Sequence, residues 1–182
     1  MHRVWNGDGD DYRKSKLKSM ASTTLLTVEQ YLNTPFGEYE PEFVDGELIE
    51  RPMPTPFHGW LTHLLSMRLH SAGYCLIAAR MRPGKSVIRI PDLSVFHQFP
   101  AERVPTSPPF VTLEIVSPDD RHEDLIRKLE EYRAWGVEHV WLIEPELRKF
   151  RVFDAHGLTE VKAFELPGLR IDAAELFAEA RI

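Results

Sequence analysis

The alternation of apolar and polar positions changes period several times along this chain of 182 residues, and each change marks an element. Residues 41–52, PEFVDGELIERP, form two short alternating runs around Asp45-Gly46, the strongest short-range hairpin signal. Just upstream, Thr27 with Gln30 makes a capping box for a short helix ending near Leu32. Thr55-Pro56 opens a longer helix that runs to about Ala72 and stops at Gly73. The stretches YCLIAARM and SVIRIPDLSVF predict strands joined by a Pro83-Gly84 turn. A proline-rich loop over 100–109 leads into an apolar strand within PFVTLEIVSPDD. Next come a helix from about Asp119 to Trp135, a stop at Gly136 and the strand VEHVWLIE. KFRVFDAHGLTEVKAF predicts a second hairpin, and Asp172 with Glu175 caps a last helix. Together these predict an α/β fold: a mixed central β-sheet flanked by helices, with an N-terminal β-hairpin.

Residues 1–22 are polar and lack periodicity, which predicts a disordered extension and leaves 23–182 as a single domain. Met20 followed by ASTTLLTVEQYL reads as a protein start, with the first nineteen residues an upstream extension. The 43% hydrophobic content is that of an ordinary globular domain with a sizeable core. No apolar run approaches the ~18 residues of a membrane span, and the charged N-terminus is no signal peptide. With Cys75 as the only cysteine there is no intrachain disulfide and no multi-cysteine zinc site. A cytoplasmic protein with no membrane partner is the simplest reading.

Charge narrows the choice of partners. The net charge is -6. The first twenty residues carry Arg3, Arg13, Lys14, Lys16 and Lys18 against Asp8, Asp10 and Asp11, so the remainder is more acidic still. Proteins that hold nucleic acid usually show a basic footprint. Any such footprint here is local, and Arg51, Arg68, Arg80, Arg82, Lys85 and Arg89 are its candidates, with solvated surface as the alternative for all six.

Two acids interrupt apolar strands. Phe110, Val111, Leu113, Ile115 and Val116 suit a strand buried on both faces, yet Glu114 sits among them. Strand alternation puts Thr112, Glu114 and Val116 on one face. Asp92, directly after Pro91, interrupts RIPDLSVF in the same way. A buried carboxylate is costly unless paired. A divalent cation resolves the repulsion of two neighbouring carboxylates, because hard cations take oxygen ligands. The plainer alternative puts each acid at a solvated strand end. On the following helix Leu125, Leu129 and Tyr132 form an apolar stripe, and Lys128 stands at its flank, where its ammonium can reach the strand carboxylates. Its alternative partner is Asp124 at i−4.

Other motifs carry less. His58, His63 and His70 do not share a helix face as i, i+4 ligands would, so zinc is not expected. Trp135 and Trp141 read as core. Ser117-Pro118 lacks the glycines of a nucleophile elbow, and no glycine-rich phosphate loop exists.

Asp92 after a proline, then Glu114-Ile115-Val116 on a following strand, resembles the PD-(D/E)XK nuclease signature. The signature lysine is missing from Val116, and Lys128 is placed as in branches where it has moved to the next helix. More closely, EFVDGELIE, PTPFHGWL, PDLSVF, LEIVSPDDRHEDLIRKLEEYRAWGVEHVWLIEP and LPGLRIDAAELF resemble the Uma-type family of restriction-endonuclease-like proteins, in family order from about Leu26 onward. The resemblance implies a restriction-endonuclease-like fold and Mg²⁺- or Mn²⁺-dependent hydrolysis of DNA phosphodiesters. It makes Asp92 and Glu114 metal ligands and Lys128 the catalytic lysine. It also places Glu42 and His58 near the site, with Glu47 and Glu50 as competing hairpin acids, and implies a homodimer. Asp119 stands where the family has a small polar residue. Two other readings stay open: a catalytically inactive nuclease-fold interaction module, and a metal-dependent hydrolase of a non-DNA substrate.

Overall fold

In a computed structural model, residues 25–37, 39–118 and 120–181 are described, so the expected N-terminal extension and Asp119 lie outside the described residues. Helix α1 (Val28–Leu32) starts with the expected capping box: Gln30 N donates to Thr27 Oγ1, and Thr27 N donates to Gln30 Oε1. Strands β1 (Glu42–Val44) and β2 (Glu47–Ile49) form the hairpin, turning at Asp45 and Gly46 with φ of 49° and 96°. Helix α2 (Pro56–Leu69) begins where Thr55 Oγ1 accepts from His58 N.

The next segment departs from the predicted pattern. YCLIAARM is two strands, β3 (Tyr74–Ile77) and β4 (Met81–Gly84), separated at Ala78, whose φ of 46° no regular strand tolerates. Pro83-Gly84 belongs to β4, not to a turn. Proline removes a ladder donor and is therefore confined to edges and bulges, and β4 is an edge strand with a register shift between Met81 and Gly84. SVIRIPDLSVF likewise splits into β5 (Val87–Arg89) and β6 (Leu93–Phe96), because Ile90-Pro91-Asp92 carries the chain from one sheet to another. Asp92 thus stands at a crossing point, just ahead of a strand.

Strand β7 (Val111–Ile115), helix α3 (His122–Trp135) and strand β8 (His139–Glu144) make the one parallel connection among the described strands. The helix starts three residues later than expected and ends at Gly136, whose left-handed φ of 106° suits a residue without a Cβ. Strands β9 (Lys149–Asp154) and β10 (Gly157–Val161) form the second predicted hairpin. The alternation over Ala163–Leu166 (β11) and Leu169–Asp172 (β12) builds a further small hairpin that the sequence reading had merged into its neighbours. Helix α4 (Ala173–Glu179) is capped by Asp172, which accepts from Ala174 N and Glu175 N.

The strands form a six-stranded mixed sheet ordered β10-β9-β8-β7-β6-β3, a four-stranded sheet ordered β2-β1-β5-β4 and the β11-β12 pair. Alternation divides the large sheet into two faces. Leu93, Val95, Val111, Leu113, Ile115 and Trp141 join α2 and α4 in the main core. Val140 and Leu142 turn the other way to pack under Leu129 and Tyr132 of α3. This is the α/β architecture expected, with helices on both faces of a mixed sheet and the N-terminal hairpin in the smaller one. No helix among the described residues is long and apolar enough to cross a membrane.

Candidate active site

Glu114 belongs to the α3 side of β7 and is only 6% exposed. Its partner is Lys128: Nζ lies 2.9 Å from Glu114 Oε1 and 2.8 Å from Glu42 Oε1. The hydroxyl of Tyr132 donates to Glu114 Oε1 at 2.8 Å. Lys128 and Tyr132 are four residues apart, so one helix face delivers both to the same carboxylate. Asp124 instead pairs with Arg127.

Strand register sets the second carboxylate. Leu93 pairs with Leu113 and Ser94 with Thr112 in the antiparallel β6–β7 ladder. Continuing that ladder by one residue places Asp92 across from Glu114, and opposite residues of such a pair share a face. Asp92 Oδ2 accepts from Ile115 N at 2.8 Å and lies 3.2 Å from His58 Nε2. Arg51 stands 3.8 Å from Asp92 Oδ1.

Behind Lys128 is an inner network. Glu42 accepts from Ile90 N and from Arg89 Nη1, each at 2.8 Å. Arg89, 1% exposed, is also held by both oxygens of Glu131 at 2.6 and 2.8 Å. An unpaired guanidinium at that depth would cost several kcal/mol. Two carboxylates make it tolerable, and the bidentate one suits the planar fork of arginine.

Electrostatics separate the two glutamates that share Lys128. Burial pushes the Glu114 carboxyl up, Lys128 only partly offsets this, and the nearby Asp92 and Glu42 charges add to it, leaving it at about 7. Burial also works against the Glu42 charge. There Lys128, Arg89 and the Ile90 amide prevail and hold it at about 2. Asp92 is kept below its usual range against burial by His58, Lys128 and the Ile115 amide. His58, despite its own burial, is raised by Asp92. Burial tends to discharge Lys128, but three carboxylates, led by Glu114, raise it. One ammonium and three surrounding carboxylates are the mark of a site short of positive charge.

These groups line a cleft of about 700 Å³ between the two sheets, walled by the Ile49–Pro54 segment, α2 and the start of α3. A hollow of about 1060 Å³ is larger but lies on the Phe43 side of the small sheet and contains none of these residues. The donor chemistry suits a hydrated hard cation, since Mg²⁺ typically takes one or two carboxylates and keeps several waters. Among the described residues no group of three or more His, Cys, Asp or Glu side chains is arranged to hold an ion, so an ion here would have fewer than three such protein ligands.

Residues 28–180 match the Uma2 family, described as "Putative restriction endonuclease". The chain belongs to this family. A solved protein from Anabaena variabilis, described as "a putative nuclease belonging to DUF820", superposes with a TM-score of 0.75 at 21% identity. The match covers 85% of this chain and 99% of that one, and at this identity it speaks for the fold alone. No curated protein matches the sequence. The family's description suggests nucleic acid as the substrate class.

The structure brings Asp92, Glu114, Lys128, Glu42 and His58 together from the residue before β6, from β7, α3, β1 and α2. Glu47 and Glu50 are exposed hairpin acids. The expected basic rim is mostly elsewhere. Arg89 is buried, Arg68 pairs with Glu179, Arg80 pairs with Glu40, and Arg80, Arg82 and Lys85 line the remote hollow. Only Arg51 of the six stays beside Asp92 at the cleft mouth. Sequence reasoning missed Glu131 and the polar role of Tyr132. Their spacing of three and four residues from Lys128 was the available signal.

Proposed function

We propose that the chain is a Mg²⁺-dependent endonuclease that hydrolyses DNA phosphodiester bonds in the cleft between its sheets. One arrangement supports this reading above all: the Lys128 ammonium against Glu114, with Asp92 across the strand pair, all lining one cleft. A divalent cation bound at Asp92 and Glu114 would supply Lewis acidity toward a phosphate oxygen and a more acidic water. The chain's own groups do the positioning. The Ile115 amide and His58 fix the Asp92 carboxylate, and Tyr132 fixes that of Glu114. Lys128 carries permanent positive charge to the point where the attacked phosphate gains negative charge. Glu42, itself anchored by Arg89, aims that ammonium. Cutting both strands of a duplex would take two such sites, as in the homodimer the resemblance implies.

The test is cleavage of plasmid and single-stranded DNA with Mg²⁺ or Mn²⁺ by the wild type and Lys128→Ala. We expect metal-dependent cleavage that falls by about 10²–10³ in the variant, the usual loss of one preorganised charge partner. Equal cleavage by the two removes Lys128 from the mechanism. A wild type inert on every substrate returns the chain to the interaction-module reading, which its acidic body favours.

A further inference from the structure

We propose that the cleft takes an unpaired DNA strand, one base of which stacks at the cleft edge on His63 and on Trp60 beside it. This rests on the nuclease reading above.

Two observations carry it. The first is the scarcity of uncommitted positive charge among the described residues of the cleft. Duplex DNA presents a phosphate every ~1.7 Å of axis, and proteins grip it by neutralising many of them. Here Arg89 is sealed between Glu42 and Glu131, and Lys128 is held by Glu42 and Glu114. Arg51, itself 3.8 Å from Asp92 Oδ1, and Arg121 are the other cations of the cleft, with Glu50, Asp120 and Asp124 lining it too. That charge pattern suits a short run of one strand and opposes a long duplex footprint.

The second is the apolar and aromatic character of the mouth. His63 lines the cleft, and Trp60, one turn earlier on α2, stacks against it with ring centroids 5.4 Å apart and planes inclined by 23°. Trp60 is 46% exposed although it is among the largest side chains of α2, whose inward face is already filled by Leu61, Leu64 and Leu65. Met53 and Ile77, at 55% and 54% exposure, line the same cleft. Base–aromatic stacking contributes about 1–3 kcal/mol per base, and every base has a π-face, so such a platform grips a strand without reading its sequence. In a duplex those faces are covered by neighbouring pairs. The cleft volume of about 700 Å³ is that of a small-ligand site, suited to a splayed nucleotide.

The experiment measures kcat/KM with Mg²⁺ on a short single strand and on the hairpin duplex of the same sequence, for the full chain, Trp60→Ala and Trp60→Phe. We expect the wild type to prefer the single strand by about tenfold or more. Trp60→Ala should lose roughly five- to a hundredfold on the single strand, the value of one stacked base, and Trp60→Phe should regain most of it. An unchanged melting midpoint in Trp60→Ala assigns the loss to binding rather than to a folding defect. Faster duplex cleavage, or a Trp60→Ala variant equal to wild type on the single strand, overturns this proposal while the nuclease reading stands. Cleavage of neither substrate removes the nuclease reading and this proposal with it.

Discussion

The two faces of strand β7 solve opposite problems with alternate residues of one five-residue sequence. Val111, Leu113 and Ile115 face α2 and α4, where they are at most 3% exposed among other apolar side chains. Thr112 and Glu114 face α3, where Glu114 meets a lysine, a tyrosine and two further acids. Hydrophobic burial holds the first face together, at roughly 25 cal/mol per Å² of apolar surface removed from water. On the second face, removing charge from water consumes much of what pairing returns, and buried ion pairs of this kind are weak stabilisers. The difference separates what makes the protein fold from what makes it act. A chain selected for stability alone would put leucine at position 114.

The sharpest way to break that comparison is to remove Lys128. At pH 8, Lys128→Ala leaves Glu42 and Glu114 facing each other without their common cation, and we expect about 3–5 kcal/mol of lost stability in denaturant titrations. At pH 5 the loss should shrink, because Glu114 then accepts a proton. A loss equal at both pH values would contradict the shared-cation account.

Leu113→Ala probes the other face of the same strand. The cavity it opens should cost about 2–5 kcal/mol. The folded fraction should keep the cleavage rate per molecule, since Leu113 points away from the cleft. A rate that falls in the folded variant would show the two faces to be coupled.

The pH dependence sharpens the contrast within the charged face itself. Glu114 has a raised pKa, so its contribution is fully present below the ordinary value near 4.5 and is lost as pH rises to about 7. Glu42 has a depressed pKa. Its contribution is present above 4.5 and disappears as pH falls toward about 2. Relative to Glu114→Gln, wild-type stability should therefore decline between pH 4.5 and 7 by an amount on the order of a few kcal/mol. A difference that is flat with pH would mean that Glu114 is an ordinary carboxylate.

The smallest effect expected is a gain. Ser94 and Thr112 are cross-strand neighbours on the α3 side, and among the described residues neither hydroxyl has a hydrogen-bond partner. Thr112→Val keeps the shape and removes an unsatisfied group, which should raise stability by about 1 kcal/mol.

Much of this was legible in the sequence, for identifiable reasons. Glu114 and Asp92 stood out because a carboxylate within an apolar strand is improbable without a partner. Lys128 was placed at the edge of the helix stripe by 3.6-residue periodicity alone. Glu42 and His58 came from the family resemblance, since a hairpin acid and a helix histidine look solvated in isolation. Arg89 was misread as surface because burial of a guanidinium depends on Glu42 and Glu131, 47 and 42 residues away in the chain. Pro83-Gly84 looked like a turn because local chemistry favours one, while the edge position that tolerates proline is a property of the whole sheet. The path from β5 to β6 was likewise invisible as two strands, because apolar positions resume at once on either side of Pro91-Asp92.

The central claim is that Asp92 and Glu114 form one cation site completed by Lys128, and calorimetric titration of Mn²⁺ into the full chain tests it most directly. We predict one Mn²⁺ per chain for the wild type, and no measurable binding by Asp92→Asn or Glu114→Gln at unchanged fold. Binding that survives both substitutions, or a wild type that takes up no ion, would contradict the claim.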